Sequence, residues 1–416
     1  MKLLSVVPRL AVASMLITGA AALPSHAQEL REYKQVGTLS AATINRKTPQ
    51  TFGGGLLRAS QDLRLYRVVY TSRDLDGKNV RLSGLVVIPQ NGAPRGLVVW
   101  NHGTITQQAD APSNYRPGGP VETENVLLAF GSGGYAVAMP DYLGYGENSK
   151  GVHPYPMGKI NARSALDLLN SSRVLGIRLK RPIGGQVWVS GYSQGGAVAM
   201  WTARLLQERG TPPVRNAALS GPYDLTGATR ESLLETPKND MQFYGQIFLS
   251  SLMARGYVQQ RHLNYSELFK PGMALAVRSA YAAEKPDEDR IKGMVLAAKL
   301  ARAKSLRDVL SPKFATALED VDTRHPLIKE MRESDCIDWT PRTPLLLWAL
   351  QSDTIVPVGN TDNAMAAFAR RGVGRDWVRA VVVNDTRLDH VKAGIPALRA
   401  TRLFFDGGFA AVPGAK

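Results

Sequence analysis

The sequence is nearly without cysteine, since Cys336 is the only one among its 416 residues. A single cysteine cannot form a disulfide within the chain, so the hydrophobic core has to stabilise the fold. The sequence also has no His-Glu-x-x-His motif and no pair of cysteines. We therefore expect no bound metal ion, because structural and catalytic metal sites are built from such groups.

Acidic residues are few beside the basic ones, with 35 Asp and Glu against 51 Lys and Arg, which gives a formal net charge of +16. Such a bias is typical of proteins that bind nucleic acids or anionic surfaces. The chain nevertheless contains no nucleic-acid-binding motif and no dense run of Lys and Arg, so we expect no nucleic-acid partner. The charge then indicates a basic, solvated surface.

Long uncharged hydrophobic runs are also lacking, and we expect no integral membrane span. Residues 1–27 have the pattern of a signal peptide: Lys2 and Arg9 are basic, an apolar stretch follows, and Ser25 and Ala27 form a small-x-small site. We predict cleavage after Ala27 and export of the protein to the periplasm or the extracellular space.

What the sequence does contain is an alternation of strand-like and helix-like segments. "LRLYRVVYTSRD" and "VRLSGLVVIP" read as two strands joined by the turn "LDGKN". Six continuous apolar runs follow: "RGLVVWNHG", "GYAVAMPD", "GGQVWVSGYS", "NAALSGPYDL", "TPLLLWALQSD" and "VRAVVVND". Continuous runs are typical of strands buried on both faces, and helical segments lie between them. The pattern predicts an α/β fold, a mostly parallel sheet flanked by helices.

One region interrupts this alternation. Residues 226–339 show no evident strand, and candidate helices there span 240–255, 286–303, 312–319 and 325–334. We predict a core of residues 63–225 and 340–416, a polar lead-in of residues 28–62, and a helical cap or lid formed by residues 226–339.

The segment "VSGYSQGGAVAMW" places Ser193 between Gly191 and Gly195, where a buried strand is followed by a helix. Only small neighbours fit two positions on either side of so sharp a turn. The geometry would expose the Ser193 hydroxyl at the carboxyl end of the sheet. The N–H of Gln194 would then point at any atom bonded to the serine oxygen, which makes it a candidate oxyanion donor.

These motifs together resemble the α/β-hydrolase superfamily. "GYSQGG", "NHG" after a strand, "SDTIVP" after a late strand and "DH" before the last helix fall in that family's order over residues 63–225 and 341–405. "MPDYLGYGENSKGVHPY" and the helical insertion resemble bacterial esterases related to fungal secretory lipases. The chain departs from many secretory lipases in lacking paired cysteines.

The resemblance implies the partners of the serine. His390, between the last strand and the last helix, corresponds to the family's catalytic base. Asp353 in "SDTIVP" corresponds to the acid that orients the base, with Asp389 as the competitor because it is adjacent to His390. The loop after "VVWNHG" would supply a second oxyanion donor, with Thr104 N–H preferred to that of Ile105.

These residues predict a serine carboxylesterase, lipase-like, that cleaves small-molecule or lipid esters through an acyl-enzyme on Ser193. No cofactor is required by that mechanism. Two alternatives stay open: an exopeptidase of the aminoacyl or prolyl type with the same residues, and a non-catalytic binding protein on the same fold. Candidate substrate-binding residues are Tyr142, Tyr192, Met241 and Phe248.

Overall fold

The computed structural model describes residues 30–261, 263–283, 285–320 and 323–415. The predicted signal peptide and its cleavage site lie outside these residues. Nine strands form one sheet: β1 Leu30–Leu39, β2 Leu63–Arg73, β3 Asn79–Pro89, β4 Leu97–Asn101, β5 Ala136–Pro140, β6 Val187–Tyr192, β7 Arg215–Leu219, β8 Leu345–Leu350 and β9 Val378–Val383.

The strand order across the sheet is β1-β2-β3-β5-β4-β6-β7-β8-β9. The pairs β1–β2, β2–β3 and β3–β5 are antiparallel, and every later pair is parallel. This is the mostly parallel sheet that the continuous apolar runs predict, with the carboxyl ends of β4, β6, β7 and β8 at one edge.

Helices cover both faces of the sheet and connect the strands. They are α1 Ala41–Phe52, α2 Val121–Gly131, α3 Gly158–Arg178, α4 Gln194–Glu208, α5 Arg230–Leu234, α6 Asp240–Arg261, α7 Pro271–Ala280, α8 Asp287–Leu300, α9 Pro312–Glu319, α10 Pro326–Ser334, α11 Gly359–Arg370 and α12 Gly394–Gly407. Within the described ranges, none of these helices is long and apolar enough to cross a membrane.

Strand β4 shows why the central strands are apolar along their whole length. Val98 and Trp100 belong to the core on the side of α1, α2 and α12. Leu97 and Val99 belong to the core on the side of α3. Successive side chains point to opposite faces, so both sets have to be apolar when helices cover both faces.

The lead-in is part of the sheet, contrary to the predicted start of the core at residue 63. Strand β1 pairs with β2 from Leu30↔Tyr70 to Leu39↔Leu63. Eight of its ten residues are not buried, because an edge strand has one unpaired side and faces solvent. Its polar sequence therefore lacks the apolar pattern that marks the inner strands.

Helices α5 to α10 lie between β7 and β8, in the segment predicted to be an insertion. They enclose a hydrophobic core of their own, which includes Met253, Tyr257, Phe269 and Met294. Among the described residues of this region, the only β-pairing is an isolated bridge between Phe269 and Leu310. We refer to residues 226–339 below as the cap segment.

Candidate active site

Ser193 occupies a strained turn between β6 and α4. Its backbone has φ 57° and ψ −124°, a left-handed conformation that is unfavourable for a residue with a side chain. A Cβ atom on Gly195 would lie 1.9 Å from the carbonyl oxygen of Asn101, and one on Gly191 would lie 2.4 Å from the same oxygen. The two glycines are thus required by the close approach of β4 to this turn.

Ser193 is the first member of a chain of hydrogen bonds that continues through His390 to Asp353. Its Oγ lies 2.8 Å from Nε2 of His390, and Nδ1 of His390 lies 2.6 Å from Oδ2 of Asp353. A carboxylate accepts only, so Nδ1 carries the proton and Nε2 accepts from the serine hydroxyl. This arrangement leaves an acceptor next to the serine proton, as base-assisted nucleophilic attack requires.

The two predicted acids differ sharply in environment. The Asp353 side chain is 1% exposed, and its Oδ1 accepts the N–H groups of Ile355 and Val356, each at 2.9 Å. The Asp389 side chain is 57% exposed and pairs with Lys392 at 3.0 Å. The structure therefore brings Asp353, and not its competitor, to the imidazole of the histidine.

The loop after β4 approaches Ser193 at Gly103. A Cβ atom built on Gly103 would lie 3.7 Å from Cβ of Ser193, so this loop borders Ser193. Gln194 is the first residue of α4, where helical N–H groups have no partner within the helix. Gln194 follows Ser193 and Thr104 follows Gly103, and their role as oxyanion donors stays a prediction.

A buried carboxylate fixes that loop. The Gly103 N–H lies 3.1 Å from both carboxylate oxygens of Glu122, and Trp100 donates its Nε1–H to the same carboxylate at 2.9 Å. Burial raises the pKa of Glu122 to about 7, although the hydrogen bonds from Trp100 and Gly103 oppose the rise. Since Glu122 accepts the N–H of Gly103, that N–H is not available to an oxyanion, and the next residue along the loop is Thr104.

Comparison with solved structures places this arrangement in a known fold. A Legionella pneumophila protein described as a hydrolase superposes with a TM-score of 0.78 at 25% identity, over 91% of this chain and 97% of its own. The rice cell wall degrading esterase LipA of Xanthomonas oryzae gives 0.74 at 23% identity, over the same shares. Candida antarctica lipase A gives 0.61 at 14% identity, over 92% of this chain and 83% of its own.

This chain has the α/β-hydrolase fold. A scan against protein-family models and a search of curated proteins find no match. The sequence-based prediction of the fold is confirmed by the structural likeness.

Sequence reasoning missed His153, which contacts the residue after the nucleophile. In this α/β-hydrolase fold, Nδ1 of His153 lies 3.0 Å from the carbonyl oxygen of Leu143. Its Nε2 lies 2.5 Å from Nε2 of Gln194. The carbonyl oxygen of Leu143 can only accept a hydrogen bond, so Nδ1 of His153 carries the proton. The side-chain amide of Gln194 then donates to Nε2 of His153. Burial lowers the pKa of His153 to about 3, which keeps the ring neutral.

Nothing in the local sequence distinguishes His153 from the other loop histidines. Its role depends on a contact across 41 positions of the chain. The one signal in the sequence that could have indicated a role for His153 is its position in "MPDYLGYGENSKGVHPY". That segment resembles bacterial esterases related to fungal secretory lipases.

Two of the four predicted substrate-binding residues are packed away from solvent. Tyr142 is 0% exposed, and its ring centroid lies 4.2 Å from that of His102. Its side chain presents no exposed surface in this structure, and a contact of Tyr142 with substrate stays a prediction. Tyr192 is 9% exposed, and its hydroxyl donates to the carbonyl oxygen of His390 at 2.5 Å. Its hydroxyl therefore supports the histidine.

The other two predicted substrate-binding residues, Met241 and Phe248, lie on helix α6 of the cap segment. Met241 is 72% exposed near the start of the helix, and such exposure does not fit a residue of an apolar pocket. Phe248 is half-buried and packs against the core of the cap segment. It stays a candidate for contact with substrate.

The cap segment also holds the loop beside the nucleophile. Arg290 of α8 donates from Nη2 to the carbonyl oxygen of Thr106 at 3.4 Å. The Thr106 hydroxyl donates to Asp287 at the start of α8. From the core side, the hydroxyl of Tyr145 donates to the carbonyl oxygen of Ile105. The loop that follows Thr104 is therefore fixed from both sides.

Metal-binding groups do not cluster in the part of the chain that the structure describes. No set of three or more His, Cys, Asp and Glu residues is close enough together to hold a metal ion there.

Proposed function

We propose that this protein is a hydrolase, and more finely a serine carboxylesterase of lipase-like type that forms an acyl-enzyme on Ser193. The observation that carries the proposal is the pair of hydrogen bonds at 2.8 Å and 2.6 Å that joins Ser193, His390 and Asp353. The three residues occur in the chain order Ser, Asp, His that the α/β-hydrolase fold uses. The rice cell wall degrading esterase and the lipase, which share the fold, add support for an ester as substrate.

In the first half of the reaction, Ser193 Oγ attacks the ester carbonyl carbon while His390 Nε2 accepts the hydroxyl proton. Asp353 stabilises the imidazolium through the bond at Nδ1. The N–H groups of Gln194 and Thr104 stabilise the negative charge on the carbonyl oxygen. The intermediate collapses, the bond to the alcohol oxygen breaks, and His390 gives its proton to the leaving alcohol.

In the second half, a water molecule attacks the acyl-enzyme and His390 accepts one of its protons. The new intermediate collapses with cleavage of the bond to Ser193 Oγ, which takes the proton back. The free carboxylic acid leaves, and the enzyme returns to its starting state without a cofactor.

The cap segment is proposed to cover Ser193 and to select the acyl chain. Helix α6 touches loops on both sides of the nucleophile. A Cβ atom on Gly245 would lie 2.8 Å from Cδ1 of Ile355, beside Asp353, and one on Gly256 would lie 3.3 Å from the carbonyl oxygen of His153. The two glycines are eleven positions apart, about 16 Å along the helix. A helix supported at these two loops would extend across the opening above the serine.

Export is part of the proposal, with residues 1–27 as the signal peptide. The support is the basic start, the apolar stretch and the Ser25-x-Ala27 site in the sequence. Expression of the full chain in a Gram-negative host, followed by N-terminal sequencing of the periplasmic form, tests it. A mature chain that begins near Gln28 is expected, and an uncleaved chain in the cytoplasm contradicts the assignment.

The activity is tested with a p-nitrophenyl ester and an aminoacyl p-nitroanilide. We expect turnover of the ester, loss of that turnover in Ser193→Ala, and retention of it in the matched exposed-serine variant Ser149→Ala. A fluorophosphonate should label Ser193, as read by mass spectrometry. Turnover of the anilide alone would favour the exopeptidase, and labelling elsewhere with no turnover would favour a binding protein.

A further inference from the structure

Glu122 is a titratable residue near Ser193 that the proposed mechanism does not use. It is the second residue of α2, and its carboxylate accepts the N–H of Gly103 and the Nε1–H of Trp100. A Cβ atom on Gly103 would lie 3.4 Å from Oε2 of Glu122 and 3.7 Å from Cβ of Ser193. Gly103 therefore adjoins both the carboxylate and Ser193.

A glycine at this position does not fix its own conformation. Gly103 has no side chain, so its backbone is freer than that of any other residue type. The bond between Gly103 and Thr104 is a trans peptide, in which the C=O and the N–H lie in one plane and point in opposite directions. The Thr104 N–H shares this peptide group with the Gly103 carbonyl, so the orientation of the group decides where the N–H points.

Side chains hold both peptide groups of Gly103. Its N–H lies 3.1 Å from each carboxylate oxygen of Glu122. Its carbonyl oxygen lies 2.7 Å from Nδ1 of His102, which carries the proton there because a carbonyl oxygen can only accept. The His102 ring packs on that of Tyr142, with centroids 4.2 Å apart. Loss of the Glu122 contact would therefore remove one of the two anchors that orient the Thr104 N–H.

The acceptor that Glu122 provides is costly for the fold. Burial raises the pKa of Glu122, and in the described ranges only the hydrogen bonds from Trp100 and Gly103 oppose the rise, with no contribution from a Lys or Arg. An ionisable group held away from water without a charged partner is unfavourable. An apolar side chain would avoid this cost but would leave two N–H donors without an acceptor. Such a conflict between stability and local structure is typical of functional sites.

We propose that Glu122 is a positioning residue for the reaction at Ser193. Its carboxylate holds Gly103 so that the Thr104 N–H faces the carbonyl oxygen of the substrate. Glu122 acts as an acceptor of hydrogen bonds, through Gly103, and makes no contact with substrate. The inference rests on the proposed function, because it requires the Thr104 N–H to be an oxyanion donor.

The test is Glu122→Met, which keeps the length of the side chain and removes both acceptor oxygens. Removal of a whole oxyanion donor lowers kcat about 10²- to 10³-fold, and a donor that is only misplaced should cost less. We expect kcat for a p-nitrophenyl ester to fall about 10- to 100-fold, with KM changed less than about threefold. Glu122→Gln keeps one acceptor oxygen for the two donors, so its kcat should stay within about fivefold of wild type.

Glu124→Gln is the matched control in the same turn of α2. The Glu124 side chain pairs with Lys47 and accepts from the Tyr115 hydroxyl at 3.4 Å, and it does not bind Gly103. Its kcat should match that of wild type within about twofold. Circular dichroism and urea unfolding show whether each variant is folded, and Glu122→Ala takes the place of Glu122→Met if that variant does not fold.

Unchanged kcat in Glu122→Met, or a rise in its KM alone, would overturn the inference. An equal loss of kcat in folded Glu122→Gln would overturn it as well, because the negative charge and not the acceptor would then be required. An equal loss in Glu124→Gln would show that the first turn of α2, and not the contact with Gly103, determines the rate.

The rate at which a fluorophosphonate labels Ser193 is measured in parallel, because the phosphoryl oxygen also needs the oxyanion donors and no ester is hydrolysed. We expect this rate to fall about 10- to 100-fold in Glu122→Met. Such a fall without any ester turnover by the wild-type protein would refute the proposed esterase function alone. Ester turnover and labelling that are both unaffected in Glu122→Met would refute this inference alone.

Discussion

The substitution Asp353→Asn separates the two acids that the sequence offers to His390. Oδ1 of Asp353 accepts two backbone N–H groups, from Ile355 and Val356. Asparagine would keep its carbonyl oxygen at that position, because an amide NH₂ facing two N–H donors would leave all of them unpaired. Its NH₂ group would then face His390 Nδ1, where the carboxylate oxygen now lies at 2.6 Å.

An NH₂ donor at that position forces Nδ1 of His390 to accept, and the proton moves to Nε2. Nε2 would then present a proton to the Ser193 hydroxyl and could no longer remove one. In serine proteases the same change of tautomer lowers kcat about 10⁴-fold. We expect a loss of about 10³- to 10⁴-fold here, equivalent to about 4 to 5 kcal/mol in the activation free energy.

Asp389→Asn is the matched control, since it makes the same change next to His390. The Asp389 side chain is 57% exposed and pairs with Lys392 at the surface, so its loss should alter kcat less than about fivefold. Both variants are compared by kcat for a p-nitrophenyl ester, after circular dichroism and thermal unfolding show that they fold. Equal or reversed losses in two folded variants would refute the assignment of Asp353.

Three further predictions concern other parts of the site. His153→Phe removes the acceptor for the Gln194 amide, and we expect kcat to fall about tenfold or more with little change in KM; a rise in KM alone would contradict a role at the nucleophile. Because burial raises the pKa of Glu122 to about 7, its contribution to stability is present below about pH 4.5 and is lost as pH rises through 7. In urea unfolding, the free energy of unfolding of Glu122→Gln should therefore rise relative to that of wild type between pH 5 and pH 8, by at most about 3 kcal/mol. A difference between the two proteins that does not change with pH would contradict this. Phe248→Ala should shift the preference among esters of two to twelve acyl carbons, whereas Met241→Ala, at a residue 72% exposed, should leave it unchanged; an unchanged preference in both variants would contradict a contact of α6 with the acyl chain.

The parts of the fold and site that follow from local sequence were predictable. Strands buried on both faces must be apolar throughout, and the turn at Ser193 must have small residues two positions away. Both requirements can be recognised in the sequence within a window of about a dozen residues. The roles predicted for Asp353 and His390 came from the resemblance to the α/β-hydrolase superfamily, and the two side chains are hydrogen-bonded in the structure.

The parts that depend on distant contacts were not predictable. Strand β1 is polar because it is an edge strand, so its sequence does not differ from that of a loop. His153 becomes important through one bond to Gln194, and Glu122 through bonds to Trp100 and Gly103. The exposure of Met241 and the burial of Tyr142 depend on which face each element presents, and a single quoted motif does not specify that.

The bonds from α8 to the loop beside the nucleophile bear on how such enzymes can diversify. Arg290 and Asp287, which hold Thr106, belong to the segment that we propose selects the acyl chain. A cap segment transplanted from another enzyme would bring its own side chains to this loop, and the position of the Thr104 N–H would change with them. Under the proposed function, substrate range and oxyanion geometry would be inherited together in this chain, and a new cap segment would have to supply two residues that match the recipient's loop.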